Sequence, residues 1–301
     1  MSAGVVVACD LDRTLIYSSA ALRLGGDDEQ APAMTVAEVL DGAPLSFWTR
    51  DAEEMLGDLV AESTFVPTTT RTRKQYRRVR FPEPGPRYAV TSNGGHILVD
   101  GAPCPDWSQT VRGRLQECAP LAEVVAHLDA VADDSWVRKR RVAEDLFTYL
   151  VVQREDLPPS FVDDLTRWCA ERGWTVSLQG RKVYCVPAPV TKSAAVAEVA
   201  LRVGADRTFA AGDSLLDADL LEHADVGFRP AHGELHEAGW QAPHVTVTDR
   251  AGVAGGEEIV ARLLAAVRAE AGGTEVGGTE VGGTTVGGTT VGGTEVEGES
   301  P

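Results

Sequence analysis

The first apolar run of this chain ends in two carboxylates, and that ending constrains the fold more than any other feature of the sequence. Residues 4–9 (GVVVAC) contain three consecutive valines and predict a short buried β-strand. Asp10 and Asp12 follow at once. Packing does not explain paired acids at the end of a buried strand, because a buried charge is costly unless a partner offsets it. A metal ion or a phosphoryl group is such a partner.

Strand-like and helix-like segments alternate along most of the chain. Residues 52–60 carry apolar side chains at helical spacing, with Thr49 as a candidate N-cap, and a second helix is expected to begin near Lys192. A short strand over 208–211 ends at Gly212 and Asp213. This alternation is typical of a parallel sheet with helices on both faces, so we predict an α/β fold with a Rossmann-like core. In such folds, ligands bind beyond the carboxyl ends of the strands.

The middle of the chain shows a different pattern of predicted elements. We predict one helix over 111–131, a strand over 146–152, a helix over 160–172 and a strand pair over 174–186. This pattern indicates a smaller α+β insertion at 105–185, flanked by core segments at 1–104 and 186–270. Residues 25–45 are polar and loop-like, and the sequence assigns them no role.

The C-terminal segment repeats a five-residue unit. From Gly272 onward, the unit GGTEV or GGTTV recurs with one valine each time. This spacing matches neither the helical nor the strand period, and the glycine content is too high for a packed element. We expect residues 271–301 to form a flexible, acidic, disordered tail.

Composition and charge narrow the function classes. No apolar stretch of the 301 residues approaches the ~18 residues of a membrane span, and no signal peptide is recognised. The net charge of −17 argues against broad binding to nucleic acid or anionic lipid. The five cysteines are widely spaced and contain no Cys-x-x-Cys pair, which favours a reducing, cytoplasmic location.

Polar side chains cluster where the predicted strands and helices meet. A carboxylate can attack phosphorus, and carboxylates can hold a magnesium ion. A lysine and hydroxyl donors can stabilise phosphoryl oxygens, while a second acid can protonate the leaving oxygen and then activate water. The clusters are Asp10/Asp12/Thr14, Thr69 with its neighbours, Lys192, and Asp213/Asp217. Together these residue types suit phosphoryl transfer.

The same clusters lie in four motifs that resemble those of the haloacid-dehalogenase (HAD) superfamily of phosphatases. Residues 10–14 (DLDRT) resemble its DxDxT signature, and residues 212–217 (GDSLLD) are similar to its GDxxxD motif. Residues 66–71 resemble the threonine motif, in the TGR-like form of Cof-type and sucrose-phosphate-phosphatase-like members. Residues 190–192 resemble the lysine motif. The four motifs occur in the family's order, and the ordered set is far more specific than any single motif.

The resemblance implies roles for the acidic positions. Asp10 would be the nucleophile and a Mg²⁺ ligand. Asp12 would be the general acid and base, and its backbone carbonyl would also face the metal. Asp213 would complete the metal site, and Asp217 would support it or reach the metal through water.

The resemblance also implies how the phosphoryl group is held and covered. Thr69 and Lys192 would bind it, and Arg71, beside the threonine motif, is a further phosphate-binding candidate. Because Thr68, Thr69 and Thr70 are consecutive, the assignment of the threonine stays open by one residue. The insertion at 105–185 would be a cap that closes over the site and excludes water.

Two positions depart from the family pattern. Arg13 stands where glycine is frequent, and it either points to solvent or adds positive charge near the site. Leu216 stands where related sequences often carry asparagine, so the metal motif has one polar group fewer.

Two basic runs also need an interpretation. Residues 71–80 contain six arginines and lysines, and residues 138–141 read RKRR. Charge runs are usually solvated faces, and we expect this for most of these residues. The second run lies in the predicted cap, where substrate specificity is normally set. A nucleic-acid-binding face is opposed by the overall charge.

We therefore predict a Mg²⁺-dependent phosphatase that hydrolyses a small phosphorylated metabolite, such as a sugar phosphate or a nucleotide-related compound, through a phosphorylated Asp10. One alternative is a phosphomutase or phosphotransferase, in which another hydroxyl replaces water. Two others are a non-catalytic ligand-binding protein on the same fold and a phosphatase of nucleic-acid ends.

Overall fold

The structure is a computed structural model that describes residues 4–25, 27, 29 and 31–275. Its strands are, in chain order, β1 (Gly4–Cys9), β2 (Met34–Leu40), β3 (Ala43–Thr49), β4 (Thr64–Pro67), β5 (Tyr88–Thr91), β6 (His96–Val99), β7 (Ala102–Pro103), β8 (Val137–Ala143), β9 (Phe147–Val152), β10 (Trp174–Gln179), β11 (Lys182–Pro187), β12 (Ala205–Ala211), β13 (Val226–Arg229) and β14 (Val245–Val247). Its α-helices are α1 (Arg50–Glu62), α2 (Arg73–Tyr76), α3 (Pro105–Arg114), α4 (Leu121–Val131), α5 (Phe161–Ala170), α6 (Lys192–Val203), α7 (Ala218–Glu222), α8 (Glu234–Glu237) and α9 (Gly252–Glu275).

The core of the fold is a five-stranded parallel sheet in the order β14-β13-β12-β1-β4. Strand β1 is buried on both faces, and its side chains alternate between two apolar clusters. Val6 and Ala8 pack in the cluster that contains α6 and α7, whereas Val5, Val7 and Cys9 pack with α1 and α9. An unbroken apolar run at β1 is what a parallel strand covered by helices on both sides requires. The predicted α/β class with a Rossmann-like core is confirmed.

Helices α1 and α6 begin where the sequence predicts them. The Thr49 hydroxyl accepts a hydrogen bond from the Ala52 amide at 3.1 Å and caps α1, and Thr191 caps α6 by accepting from the Ala194 amide at 3.2 Å. These caps satisfy backbone N–H groups that have no partner inside the helix. Helix α6 starts at Lys192, so the side chain of its first residue projects from the end of the sheet where β1 and β12 finish.

A second sheet forms the predicted α+β insertion. Its four strands are antiparallel, in the order β10-β11-β9-β8. Helices α4 and α5 cover one face, with Val124, Leu128, Phe161 and Leu165 buried against it. We call this unit the cap. The inserted cap is confirmed as part of the fold class, while the residue boundaries 1–104, 105–185 and 186–270 stay predictions.

The prediction that residues 25–45 are loop-like is wrong for their second half. Strands β2 and β3 form an antiparallel hairpin in which Met34 pairs with Thr49 and Leu40 with Ala43. The hairpin packs on the core through Ala37 and Trp48, both buried. A buried carboxylate, Glu38, interrupts the apolar alternation by which strands are recognised, and this hides β2 in the sequence.

One prediction for the cap also needs correction. The single helix over 111–131 is two helices, α3 and α4, separated by a 3₁₀ turn and by Pro120, which lacks an N–H group to continue a helix. The basic run at 138–141 lies in β8, the edge strand of the cap sheet, and Arg138, Lys139 and Arg141 are exposed, as expected for a solvated charge run. Edge strands commonly carry exposed charges, which discourage pairing with other chains.

The last helix extends into the segment that the sequence predicts to be a disordered tail. Helix α9 extends to Glu275 and so includes the first residues of the glycine repeat. The rest of the predicted tail, residues 276–301, lies outside the described residues. Within the described part of the chain, no helix combines the length and the apolarity needed to cross a membrane.

Candidate active site

Three neighbouring strands end at the same edge of the core sheet and bring the predicted site together. Asp10 follows β1, and its amide donates to the carbonyl of Ala211 at the end of β12 at 2.9 Å. The amide of Thr68, after β4, donates to the Cys9 carbonyl at 2.8 Å. Asp213 lies two residues beyond β12. The motifs are therefore adjacent because parallel strands present their carboxyl ends on one side.

Lys192 lies at the centre of a buried group of carboxylates. Its Nζ is 2.6 Å from Oδ1 of Asp10 and 2.5 Å from Oδ1 of Asp217. Lys192 is 1% exposed and Asp217 is fully buried. One ammonium thus offsets part of the charge of two carboxylates that belong to different strand ends. The structure brings Lys192, Asp10, Asp213 and Asp217 together as the sequence predicts.

Burial and mutual repulsion shift the pKa values of these carboxyl groups. Burial raises the pKa of Asp10 to about 7, against the opposing effect of the Lys192 charge. Burial also raises the pKa of Asp213 well above its ordinary value, and the charges of Asp10 and Asp217 add to that shift. The main cause is the same in both groups, because burial disfavours the charged form of a carboxyl group.

The carboxylate cluster fits a divalent cation. Asp10, Asp213 and Asp217 each offer an oxygen within 4.8 Å of the others. A glycine at each of two positions makes room for them: a Cβ on Gly212 would lie 2.3 Å from the Cβ of Asp217, and one on Gly233 would lie 2.5 Å from Oδ2 of Asp213. Oxygen donors of this kind suit Mg²⁺. The side chain of Asp12 is not in this cluster.

Asp217 is held from two sides. Its Oδ2 accepts hydrogen bonds from the Ser214 amide at 3.0 Å and from the Ser214 hydroxyl at 2.7 Å, while Oδ1 faces Lys192. These contacts fix the loop after β12. Leu216, the departure from the family pattern, takes part in none of these polar contacts.

Arg71 joins Asp12 to a carboxylate that the sequence analysis did not identify. Nε and Nη2 of Arg71 each lie 2.7 Å from an oxygen of Asp12, and Nη1 lies 2.8 Å from Oε2 of Glu38. Glu38 is fully buried and also accepts from Arg78 at 2.7 Å and Ser46 at 3.2 Å. Burial by itself raises the pKa of Asp12, but the charge and hydrogen bonds of Arg71 outweigh that effect and lower it. Arg71, predicted to bind phosphate, is thus engaged with carboxylates here.

The three consecutive threonines have different surroundings. The Thr68 hydroxyl donates to the Val66 carbonyl at 2.9 Å and is fully buried. The Thr69 hydroxyl oxygen accepts from the Arg71 amide at 3.1 Å, which leaves its own proton available to donate. Thr70 lines the cavity described below and lies within hydrogen-bonding reach of Tyr184.

Arg13 adopts a left-handed backbone conformation with φ of 65°, which explains why glycine suits this position. Its Nε lies 3.6 Å from Oδ2 of Asp213, so it adds positive charge to the site. His232 holds this loop: its Nδ1 accepts from the Gly252 amide at 3.1 Å, so Nε2 carries the proton and donates to the Arg13 carbonyl at 2.8 Å. Burial lowers the pKa of His232 to about 4, which keeps the ring neutral.

A cavity of about 230 Å³ lies between this edge of the core and the cap. Its floor includes Asp12, Arg13 and Asp213, and its roof includes Lys182 and Tyr184 of β11. The remaining polar residues of the roof and rim are Arg154, Gln179, Arg181, Glu234 and Glu237. The sequence analysis identified none of these roof and rim residues, because no motif marks a residue that reaches the site only through the packing of two domains.

The core and the cap also touch beside the cavity. Glu234, on α8 of the core, accepts hydrogen bonds from the Ser177 hydroxyl at 3.0 Å and the Leu178 amide at 3.0 Å, both on β10 of the cap. The same carboxylate accepts from the Leu215 amide at 2.9 Å, in the loop that positions Asp217. The cap and the metal-site loop are therefore tied to one side chain.

The arrangement is a parallel core sheet with acidic strand ends, covered by an inserted α+β cap, and this fold is also found in solved phosphatases of the HAD superfamily. The sucrose-phosphatase from Synechocystis sp. PCC6803, solved with sucrose and phosphate, superposes with a TM-score of 0.60 at 17% identity, over 87% of this chain and 98% of that one. Protein 0175 of Thermoplasma acidophilum gives 0.56 at 13% identity, over 87% and 98% of the two chains.

The HAD subclass IIB sugar phosphatase BT4131 gives a TM-score of 0.53 at 13% identity, over 85% of this chain and 98% of that one. No protein-family model and no curated protein matches this sequence. At these identities the likeness concerns the fold, and it confirms the fold that the four motifs imply.

Proposed function

We propose that this protein is a Mg²⁺-dependent phosphomonoester hydrolase in which Asp10 is the nucleophile. The observation that carries the proposal is the buried cluster in which Lys192 contacts Asp10 and Asp217 while Asp213 lies beside them. A structural core gains nothing from three clustered carboxylates and one ammonium, because each buried charge costs several kcal/mol. The cluster is explained if it binds a dianionic phosphoryl group and a cation.

The reaction proceeds in two displacements at phosphorus. An oxygen of Asp10 forms a bond to phosphorus while the bond from phosphorus to the ester oxygen breaks, and Asp12 gives a proton to that leaving oxygen. Asp12 then takes a proton from water, whose oxygen attacks phosphorus and releases Asp10 and inorganic phosphate. Lys192 and the Thr69 hydroxyl stabilise the charge on the phosphoryl oxygens in both steps.

Asp10, Asp213 and Asp217, with the backbone carbonyl of Asp12, would hold Mg²⁺. When bound, the cation offsets the repulsion between the Asp10 carboxylate and the phosphate dianion. Arg71 orients Asp12 through its two hydrogen bonds, rather than binding phosphate directly.

The substrate is a small phosphorylated metabolite, and we infer a sugar phosphate. The cavity of about 230 Å³ holds a small molecule, and the cap above it limits access. Two proteins with this fold are named as a sucrose-phosphatase and a sugar phosphatase. We also infer a cytoplasmic location, because the five cysteines are free thiols.

The test is hydrolysis of 4-nitrophenyl phosphate by wild type and by Asp10→Asn, with magnesium and after chelation. We expect Asp10→Asn to lose at least about 1,000-fold in kcat/KM, and wild type to lose activity in chelator and regain it with magnesium. Asp206→Asn, an exposed aspartate of β12, is the matched control. If Asp10→Asn hydrolyses 4-nitrophenyl phosphate at the wild-type rate, Asp10 is not the nucleophile. Transfer to an added sugar, with little free phosphate released, would instead identify a phosphotransferase or mutase.

A further inference from the structure

The cations of the site fall into two groups that differ in their partners. On the core side, Lys192 is paired with Asp10 and Asp217, Arg13 with Asp213, and Arg71 with Asp12 and Glu38. Each of these core cations is thus offset by carboxylates of the protein, and of the three only Arg13 lines the cavity. The roof contributes three more cations.

The roof cations Arg154, Arg181 and Lys182 form no ion pair with any carboxylate of the described residues. Arg181 and Lys182 lie at the turn between β10 and β11, and Nη1 of Arg154 donates to the Gly180 carbonyl of that turn at 3.3 Å. The three side chains therefore belong to one local unit. The chain has a net charge of −17, yet three cations without a carboxylate partner line one cavity. Their local positive charge favours the binding of an anionic ligand.

Lys182 and the two arginines differ in position. Lys182 Nζ lies 5.8 Å from the ring centres of both Tyr149 and Tyr184, and its charge helps to lower the pKa of Asp12. It therefore lies toward the reacting end of the cavity. Arg154 and Arg181 are exposed, further along the hairpin turn. Their guanidinium groups present paired donors that match a carboxylate or a phosphate.

Neither acidic residue of the rim forms an ion pair with Arg154, Arg181 or Lys182. Glu234 already accepts from Ser177, Leu178 and Leu215, so its oxygens are occupied. Glu237 is exposed and forms no ion pair with Arg154 or Arg181, so its oxygens are free to accept hydrogen bonds from substrate hydroxyl groups.

We propose that the substrate carries a second anionic group, a carboxylate or a second phosphate, on its leaving group, and that Arg154 and Arg181 bind that group. This inference rests on the proposed phosphatase function, which places the phosphomonoester at Asp10 and Lys192, on the core side of the site. The leaving group then extends toward the roof. The substrate class is a hydroxylated phosphomonoester with an acidic substituent, such as a sugar-acid phosphate or a sugar bisphosphate.

The experiment compares kcat/KM for three matched esters: sorbitol 6-phosphate, 6-phosphogluconate and sorbitol 1,6-bisphosphate. The first has a neutral leaving group, the second a carboxylate and the third a second phosphate. We expect wild type to prefer at least one anionic ester by about tenfold or more, and the identity of that ester distinguishes carboxylate from phosphate. The double variant Arg154→Gln/Arg181→Gln should lower that ratio to near one.

The control is Arg112→Gln/Arg167→Gln, which removes the same charge from exposed positions on α3 and α5. This control variant should keep the wild-type preference, because we attribute that preference to Arg154 and Arg181 and not to a general attraction of anions by the whole protein. Equal or faster hydrolysis of the neutral ester by wild type overturns the inference, as does an equal loss of preference in both double variants. Hydrolysis of 4-nitrophenyl phosphate is measured in parallel: if that too is absent, the proposed function itself has failed.

Discussion

Arg71 illustrates how one side chain links the site to the fold. It holds both oxygens of Asp12 and also contacts Glu38, a fully buried carboxylate on the β2–β3 hairpin. The motifs predict Asp10, Asp12, Lys192 and Asp213 because these residues match the ordered motifs of the HAD superfamily. The partner of Arg71 could not be predicted, because no local pattern distinguishes Glu38 from an exposed strand residue.

A comparison of two arginines separates the structural role of Glu38 from catalysis. Arg71→Gln and Arg78→Gln each remove one cation from Glu38, so each should lower the free energy of unfolding by about 2 kcal/mol. Only Arg71 also holds Asp12, so only Arg71→Gln should lower kcat for an alkyl phosphate, by about tenfold or more. Urea unfolding and steady-state rates measure the two effects. Equal kinetic losses in both variants would mean that Arg71 acts through Glu38 alone.

At the scale of elements, the turn between β8 and β9 attaches the cap to the core. Glu144 in this turn accepts from Arg73 Nε at 2.7 Å and from the Ser92 hydroxyl at 2.5 Å, and His96 Nε2 lies 3.4 Å from it. Burial raises the pKa of Glu144, but the contacts with His96, Ser92 and Arg73 outweigh burial and lower it to about 2.

This shift predicts how stability depends on pH. Because the pKa of Glu144 is lower in the folded than in the unfolded chain, its contribution is fully present above about pH 4.5 and is lost as pH falls toward 2. Glu144→Gln should therefore lower the free energy of unfolding by about 2–3 kcal/mol at pH 7, and the difference from wild type should shrink below pH 4.5. Urea titrations across this range measure it, with the exposed Glu155→Gln as control. A difference that stays constant with pH would refute the assignment.

Elements with strong local patterns were predicted from the sequence, and those without were missed. Strand β1 is an unbroken apolar run, and helices α1 and α6 carry apolar periodicity and N-caps; all three lie where predicted. Strands β2 and β8 are hidden by charged residues, since a strand with one exposed or ion-paired face does not show an apolar pattern.

At the scale of the whole molecule, the site is completed by contacts between distant parts of the chain. Glu144 of the cap docks on the core, and Glu234 of the core docks on the cap. The cavity roof arises from this docking, and for that reason Lys182, Arg154 and Arg181 could not be assigned from sequence. The motifs define the floor of the site, and the fold supplies the roof.

The central claim is that phosphate passes through a covalent bond to Asp10. Its most direct measurement is acid quenching of the enzyme during turnover of 4-nitrophenyl phosphate, followed by mass spectrometry of the peptide that contains Asp10. We expect this peptide to gain the mass of one phosphoryl group, and the same peptide from Asp10→Asn to gain none. A phosphoryl group found on another residue, or no labelling together with sustained turnover by Asp10→Asn, would contradict the claim.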